Sequence, residues 1–197
     1  SAVGTVKASL ESYRTAIAKL NSVSSFNGLT ASSTDEKISK VTIDDKASSG
    51  KYAMNVTQLA TSSKITSKVF EGGASASVNS SEQDQTLTIS QSGDSYDVKI
   101  PAGATMQQTR DAINTQLQSK GISANVLTDA NGSRLVIGSQ TTGKGTDITI
   151  SGDSELATDY SAGKPPVNAE YTIDDIAMES SSNKITSAIS GVTLELL

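Results

Sequence analysis

DVKIPAGATMQQTRDAINTQLQSKGISANVLTDANGSRLVIGSQTTG, residues 97–143, carries the signals that decide the fold class. Val98 and Ile100 alternate with polar neighbours, as in a half-buried strand, and Pro101 to Ala104 break it. Thr105 then stands before a helical stretch with Gln108 three residues on, the pattern of a capping box. Ile113 and Leu117 would line the buried face of that helix. Gly121 supplies a left-handed end, and Ile122 can fold back onto Leu117. Asn131-Gly132 between Val126–Asp129 and Arg134–Ile137 predicts a hairpin, because both residues tolerate the positive φ of a type I′ turn. One capped helix set among hairpins reads as a small β-rich unit.

The same grammar extends in both directions. Leu87 and Ile89 alternate upstream of Val98 and Ile100 around Ser92-Gly93-Asp94, a second hairpin. Asp147 to Ser151 adds a strand. Residues 71–81 (EGGASASVNSS) read as a linker or exposed loop, and 152–168 as a polar join containing Gly163 and Pro165-Pro166. Tyr171, Ile173 and Met178 begin a last β segment. Ile185 and Ile189, four apart after Asn183, suggest one helical turn ended by Gly191; Val192, Leu194 and Leu196 then alternate as a strand. Towards the N-terminus, Lys40–Asp44 and Tyr52–Val56 alternate across a turn cluster at 46–50 and predict an antiparallel pair. Residues 29–37 are a polar linker.

Residues 2–25 read as a helix. Val3, Val6, Leu10, Tyr13, Ile17 and Leu20 are spaced 3, 4, 3, 4, 3, the a/d seam of a coiled coil. One narrow stripe cannot bury itself, so it needs partner helices outside the sequence or in another subunit; the alternative is packing on a nearby sheet. Asn27-Gly28 would end this helix. A chain that opens inside a helix reads as a piece of a longer protein.

Composition narrows the function. Ser and Thr number 55 of 197 residues, which suits exposed strands and turns, and the core must come from Val, Ile, Leu and Ala because Trp is absent and aromatics make up 4%. Net charge is −5, which argues against a phosphate-binding face for nucleic acid. Residues 1–70 carry +4, 71–164 carry −5 and 165–197 carry −4. This is either ordinary solvated surface or a sign that 35–70 and 165–197 pack together. With no Cys and no His, disulfides, thiol nucleophiles and imidazole bases are excluded. No apolar run reaches membrane-spanning length.

Motifs that resemble chemistry fail on their context. Gly138 to Gly145 (GSQTTGKG) approaches a phosphate-binding loop, but Gly145 replaces the magnesium-holding hydroxyl and Asp147–Ile150 reads as a strand, not a helix. Ser48/Lys51 and Ser181/Lys184 match Ser-x-x-Lys without companion motifs. Asp44-Asp45 and Asp174-Asp175 are adjacent, so in strands they point to opposite faces. Asp129-Ala130-Asn131-Gly132 lacks the remaining ligands of a calcium loop. No catalytic, cofactor or metal residue is assigned, and no cofactor is expected.

Three stretches resemble one family. Asp97–Gly143 is similar to the repeat module of flagellins and flagellar hook-associated proteins, a strand followed by a capped helix ending in Ile113-Asn114 and an Asn-Gly hairpin. Ser49–Ile65 (SGKYAMNVTQLATSSKI) and Ala169–Leu197 (AEYTIDDIAMESSSNKITSAISGVTLELL) resemble the filament cap family, hook-associated protein 2. Ile173-Asp174-Asp175 departs from that family's Ile-Asp-Gly, and Thr109 stands where an apolar residue is common.

The resemblance implies a non-enzymatic, secreted, extracellular protein at the tip of the bacterial flagellum. There it would retain exported flagellin and promote its polymerisation. Its partners would be further copies of itself in a head-to-tail ring, flagellin and the filament tip, with host surface glycans a further candidate, and neither nucleic acid nor membrane insertion. Thr105, Ile113, Asn114, Asn131 and Gly132 would be structural residues of the module. The expected architecture is mainly β (α+β). Residues 1–34 form part of a helical leg, 35–70 with 165–197 a discontinuous first β-rich domain, and 71–164 a second one inserted in it. Alternatives are a surface adhesin or glycan-binding module, a flagellin, or a hook–filament junction protein.

Overall fold

The computed structural model describes residues 5–12, 22–26 and 28–197, with residues 5–12 and Ser22 described as backbone only. In chain order the first strands are β1 (Thr5–Ser12), β2 (Ser22–Phe26), β3 (Leu29–Ser33), β4 (Ile38–Ile43) and β5 (Gly50–Gln58). Then come β6 (Ser62–Thr66), β7 (Gln85–Gln91), β8 (Asp94–Ile100), helix α1 (Met106–Leu117), β9 (Ile122–Asp129), β10 (Gly132–Thr142), β11 (Thr149–Gly152) and β12 (Ser161–Ala162). The last strands are β13 (Ala169–Ile173), β14 (Ile176–Ser180), β15 (Lys184–Ile189) and β16 (Val192–Leu196). The chain divides into two compact units, Ser1–Thr61 with Val167–Leu197, and Ser62–Pro166. The division falls after Thr61 and Pro166 rather than after residues 70 and 164, because β6 pairs with β10 and β12 of the second unit.

In the first unit a six-stranded sheet, ordered β14-β13-β5-β1-β3-β2, and a three-stranded sheet, β15-β16-β4, share one core. Ile38, Val41, Met54, Tyr171, Ile185 and Leu194 are buried in it. Besides the polar linker read over 29–37, whose first part is the largely buried strand β3, four sequence-based expectations are corrected here. The helix predicted over 2–25 is replaced, where described, by strands β1 and β2. Val6 and Leu10 of the seam lie in β1, while Val3, Tyr13, Ile17 and Leu20 lie outside the described residues. The 3–4 spacing gave one unpartnered stripe, and an isolated helix of this length is marginal in water. Strand β1 instead finds backbone partners in β3 and β5, from Thr5↔Asn55 to Ser12↔Leu29. Secondly, Gly28 is left-handed, φ 80°, as a turn residue between Phe26 and Leu29 and not as a helix cap.

The third correction concerns β4 and β5, which do not pair with one another. β4 pairs with β16 and β5 with β1 and β13, so residues 44–49 cross between sheets. The fourth is the helical turn at Ile185–Ile189. It is strand β15, with an irregular register against β16. Residues four apart share a face in a helix and in a strand alike, so spacing could not distinguish them. Segments 35–61 and 167–197 do lie together, but charge does not account for it: the positive surplus read over 35–70 comes from Lys64 and Lys68, which belong to the second unit, and 35–61 is neutral. The two segments are joined by backbone ladders and by side-chain bonds such as Asp174 Oδ1 accepting from Ala53 N at 2.9 Å.

The second unit sets the four-stranded sheet β12-β6-β10-β9, the three-stranded sheet β11-β7-β8 and α1 around a separate core that includes Ile65, Leu87, Ile100, Ile113, Leu135 and Ile137. The hairpins β7–β8 and β9–β10 form as predicted. Ser92 (φ 52°) and Gly93 (φ 85°) both take the positive φ of a primed turn. Residues 71–81 are not a loose linker. Val78 and Asn79 are buried, and Asn79 donates through Nδ2 to Ile100 O at 2.9 Å and Gln83 O at 2.8 Å. The join at 152–168 likewise buries Ser154 and Leu156.

The chain leaves the first unit at Thr61 and re-enters at Val167. There Thr61 N donates to Val167 O at 3.0 Å and Val167 N to Thr61 Oγ1 at 3.0 Å. We propose that each unit folds on its own, since each has its own core and the excised ends are adjacent. Replacing residues 62–166 by a short Gly/Ser linker is expected to leave a cooperatively unfolding β protein. Loss of slow amide exchange throughout the remainder would refute this.

Candidate functional site

The region that carries the recognisable sequence signature is built from β8 to β10. Pro101 ends β8, and Ala104 N bonds back to Pro101 O at 3.0 Å. Thr105 is extended and caps α1. Its Oγ1 accepts from Gln108 N at 3.1 Å, and Gln108 Oε1 accepts from Thr105 N at 3.0 Å, so two orphan donors are satisfied reciprocally. Met106, Thr109, Ile113 and Leu117 form the buried face. Each large apolar side chain there contributes about 1.5–3 kcal/mol. A 3-10 turn, Gln118–Lys120, and left-handed Gly121 (φ 77°) end the helix.

Asn114 explains why a polar residue follows Ile113. Its Oδ1 accepts from Ala124 N at 2.7 Å and its Nδ2 donates to Ala124 O at 3.0 Å. The amide thus occupies the outer edge of β9, where the four-stranded sheet has no further strand, and ties α1 to it. Asn183 makes the same pair of bonds in the other unit, Ala60 N to Oδ1 at 2.7 Å and Nδ2 to Ala60 O at 3.0 Å. Sequence reasoning marked Asn114 and the Ser-Ser-Asn stretch without assigning either this role.

The turn at 129–132 differs from the type I′ expectation. Asp129 pairs with Gly132 across Ala130-Asn131, and Asn131 does not take a positive φ. Asp129 Oδ1 accepts from Asn131 N at 2.8 Å, and Oδ2 accepts from Arg134 Nη1 at 2.8 Å. The Arg134 bond, helped by the backbone donors of Asn131 and Gly132, holds the Asp129 carboxyl below its usual range. Gly132 (φ 135°) lies against Phe70, whose backbone exchanges bonds with Ser133 at 2.8 and 2.9 Å. At the other hairpin tip, Asp174 (φ 49°) and Asp175 (φ 65°) both adopt left-handed backbone between β13 and β14, so the departure from Asp-Gly leaves a two-residue turn.

Thr109 is 2% exposed and its hydroxyl has no hydrogen-bond partner. Val has the same branching, so Thr109→Val is expected to stabilise the second unit by about 1 kcal/mol by removing a buried unpaired hydroxyl. An urea midpoint that falls instead would mean the hydroxyl is satisfied in solution.

The stretch resembling a phosphate-binding loop is the end of β10 and a turn. Thr146 Oγ1 donates to Gly143 O at 2.6 Å, Gln91 Nε2 donates to Thr146 O at 2.9 Å, and the next element is strand β11. Among the described residues no three Asp or Glu side chains cluster as metal ligands.

Two family descriptions match the chain. "Flagellar hook-associated protein 2 N-terminus" covers residues 1–63 and "Flagellin hook IN motif" covers residues 86–141. The A-type flagellar hook-associated protein 2 of Pseudomonas aeruginosa is 32% identical over 98% of this chain and 45% of its own length. Flagellar hook-associated protein 2 of Escherichia coli K12 is 32% identical over 94% of this chain and 42% of its own. The chain therefore spans less than half the length of these curated relatives. Among solved structures, the D2-D3 domains of the flagellar cap protein from Escherichia coli align with TM-score 0.71 and 29% identity over 83% of this chain and 90% of that one. The Pseudomonas aeruginosa PAO1 cap protein aligns with TM-score 0.70 and 29% identity over 79% and 76%.

Proposed function

Because the chain belongs to the flagellar hook-associated protein 2 family, we propose that it serves as the β-rich part of a filament cap, outside the cell at the distal end of the flagellum. There it helps to retain exported flagellin and promotes its polymerisation, working as a homo-oligomer and without catalysis. The observation that carries this reading is the joint match of both units, in order, to the D2-D3 domains of a solved cap protein. Local design supports it. Within each unit, a closed core, a strand edge held by Asn114 or Asn183, and tight turns suit a structural part.

The adhesin reading gains nothing from the surface. Among the described residues Phe26 is the one exposed aromatic, whereas Phe70 and Tyr171 are buried, and burial raises the Tyr171 phenol above its ordinary pKa.

The test is complementation. The full-length parent protein, supplied to a bacterium whose own hook-associated protein 2 has been deleted, is expected to restore filaments and swimming and to clear unpolymerised flagellin from the medium. Flagellin that continues to leak, with the parent protein exported and folded, would overturn the proposal.

A further inference from the structure

Nine asparagines occur in the chain, and two of them, Asn27 and Asn131, precede glycine. An asparagine amide is open to attack by the backbone nitrogen of the next residue, and glycine, lacking a side chain, obstructs that attack least. Four of the other amides are held: Asn79, Asn114, Asn168 and Asn183 all make side-chain hydrogen bonds. Asn131 stands exposed at the tip of the β9–β10 hairpin. Its backbone N–H donates to Asp129 Oδ1 at 2.8 Å, but among the described residues its side-chain amide makes no hydrogen bond.

The attacking nitrogen, by contrast, is restrained. Gly132 pairs with Asp129 across the turn, and its N–H donates to the Asp129 carboxylate. A negative charge beside that N–H opposes loss of its proton, which the attack requires. The far side of Gly132 is fixed as well. Its φ is 135°, Phe70 O stands 2.4 Å from where a Cβ would be, and Ser133 exchanges two backbone bonds with Phe70. The reactive pair is therefore exposed at its amide and closed at its nucleophile.

We propose that Asn131-Gly132 is a self-modification site, held closed by Asp129 and Phe70 in the folded second unit, reactive when the hairpin tip opens, and yielding an isoaspartyl product that weakens the refolded unit. Once the tip opens, Gly132 N bonds to Asn131 Cγ. The Cγ–Nδ2 bond breaks, and ammonia leaves with the proton of the Gly132 N–H. Water then adds to the cyclic imide. Cleavage of the new N–Cγ bond gives aspartate on an unaltered backbone. Cleavage of the bond from N to the main-chain carbonyl gives isoaspartate, whose backbone runs through Cβ and is one carbon longer. Water is the only co-reactant. Aspartate fits at exposed residue 131, whereas an extra backbone carbon shifts Gly132 against Phe70 O, where there is no room for an added atom. Each opening of the tip thus carries a chance of a permanent mark. The chemistry needs only this chain and water, so it stands apart from the cap reading.

The experiment ages the 197-residue chain in mildly alkaline buffer, folded and in urea, beside Asp129→Ala and Asn131→Asp. Peptide mapping by mass spectrometry separates residue 131 from residue 27 and isoaspartate from aspartate. In urea the parent chain and Asp129→Ala are expected to lose the Asn131 amide at the same rate. Folded, the parent chain is expected to lose it at least about tenfold more slowly than in urea, because local opening must come first. Folded Asp129→Ala is expected to lose it severalfold faster than the folded parent chain. After urea is removed, Asn131→Asp and the aspartyl fraction should regain nearly the parent urea midpoint, and the isoaspartyl fraction a lower one. Equal rates in the folded and unfolded parent chain would overturn the gate, and that comparison decides even if Asp129→Ala does not fold. A folded Asp129→Ala that reacts no faster than the parent chain removes Asp129 from the gate. An isoaspartyl fraction that regains the parent midpoint would overturn the consequence drawn from Phe70.

Discussion

Gly132→Ala is expected to destabilise the second unit by more than about 3 kcal/mol. An ordinary side chain at φ 135° costs about 1–3 kcal/mol on its own. The added Cβ would stand 2.4 Å from Phe70 O and 3.0 Å from Val69 Cγ1. That carbonyl is held by Ser133 N at 2.9 Å, and Ser133 O by Phe70 N at 2.8 Å, so the bridge must open. Each of those bonds contributes about 1 kcal/mol net. Asn131→Ala is the control. Asn131 is exposed and keeps an ordinary backbone, so its loss should cost under about 1 kcal/mol. Urea unfolding followed by amide signals of the second unit measures both. If the two variants cost the same, the glycine serves only the turn and the Phe70 contact is unimportant.

Asn114→Ala is expected to cost about 3 kcal/mol in the same unit. It deletes two hydrogen bonds and leaves the N–H and C=O of Ala124, a residue 2% exposed, without partners. Buried unsatisfied groups cost about 1–3 kcal/mol each. Asn183→Ala should act likewise in the first unit through Ala60, and the effects should be additive because the two clamps share no core. The Ala124 amide should also exchange much faster in Asn114→Ala than in the parent chain. Unchanged protection there would show that α1 stays docked by its apolar face alone.

Both effects concern residues that the resemblance singled out without a mechanism. Asn114 and Asn183 are polar positions at the ends of apolar patterns, and read alone they look like ordinary helix or turn residues. Their partners make the difference. Ala124 is ten residues from Asn114, but Ala60 is 123 residues from Asn183, and no local rule relates them. Gly132 was legible as a turn glycine, yet the larger constraint on it comes from Phe70, which is close only in the folded chain. Gly191 is similar. It was read as the end of a helical turn, whereas a Cβ there would meet Ala47 N at 2.2 Å across the β4–β16 ladder.

What the amino-acid order by itself determined is the part of the structure whose causes are local. The Thr105–Gln108 capping box, the buried Ile113 and Leu117, the Gly121 terminus and the Ser92-Gly93 hairpin each depend on residues within a few positions, and each stands as read. Family membership was legible for the same reason, since it rests on short ordered motifs. Only the tertiary structure decided which strands meet. β4 joins β16, β5 joins β13 and β1 joins both β3 and β5, with paired residues from 17 apart (Ser12↔Leu29) to 158 apart (Ile38↔Leu196). Strand pairing is chosen by burial of whole faces against distant segments, and residues four apart share a face in helix and strand alike. The a/d spacing of residues 3–20 and the pair Ile185/Ile189 therefore left the choice of element to partners that no local reading can see.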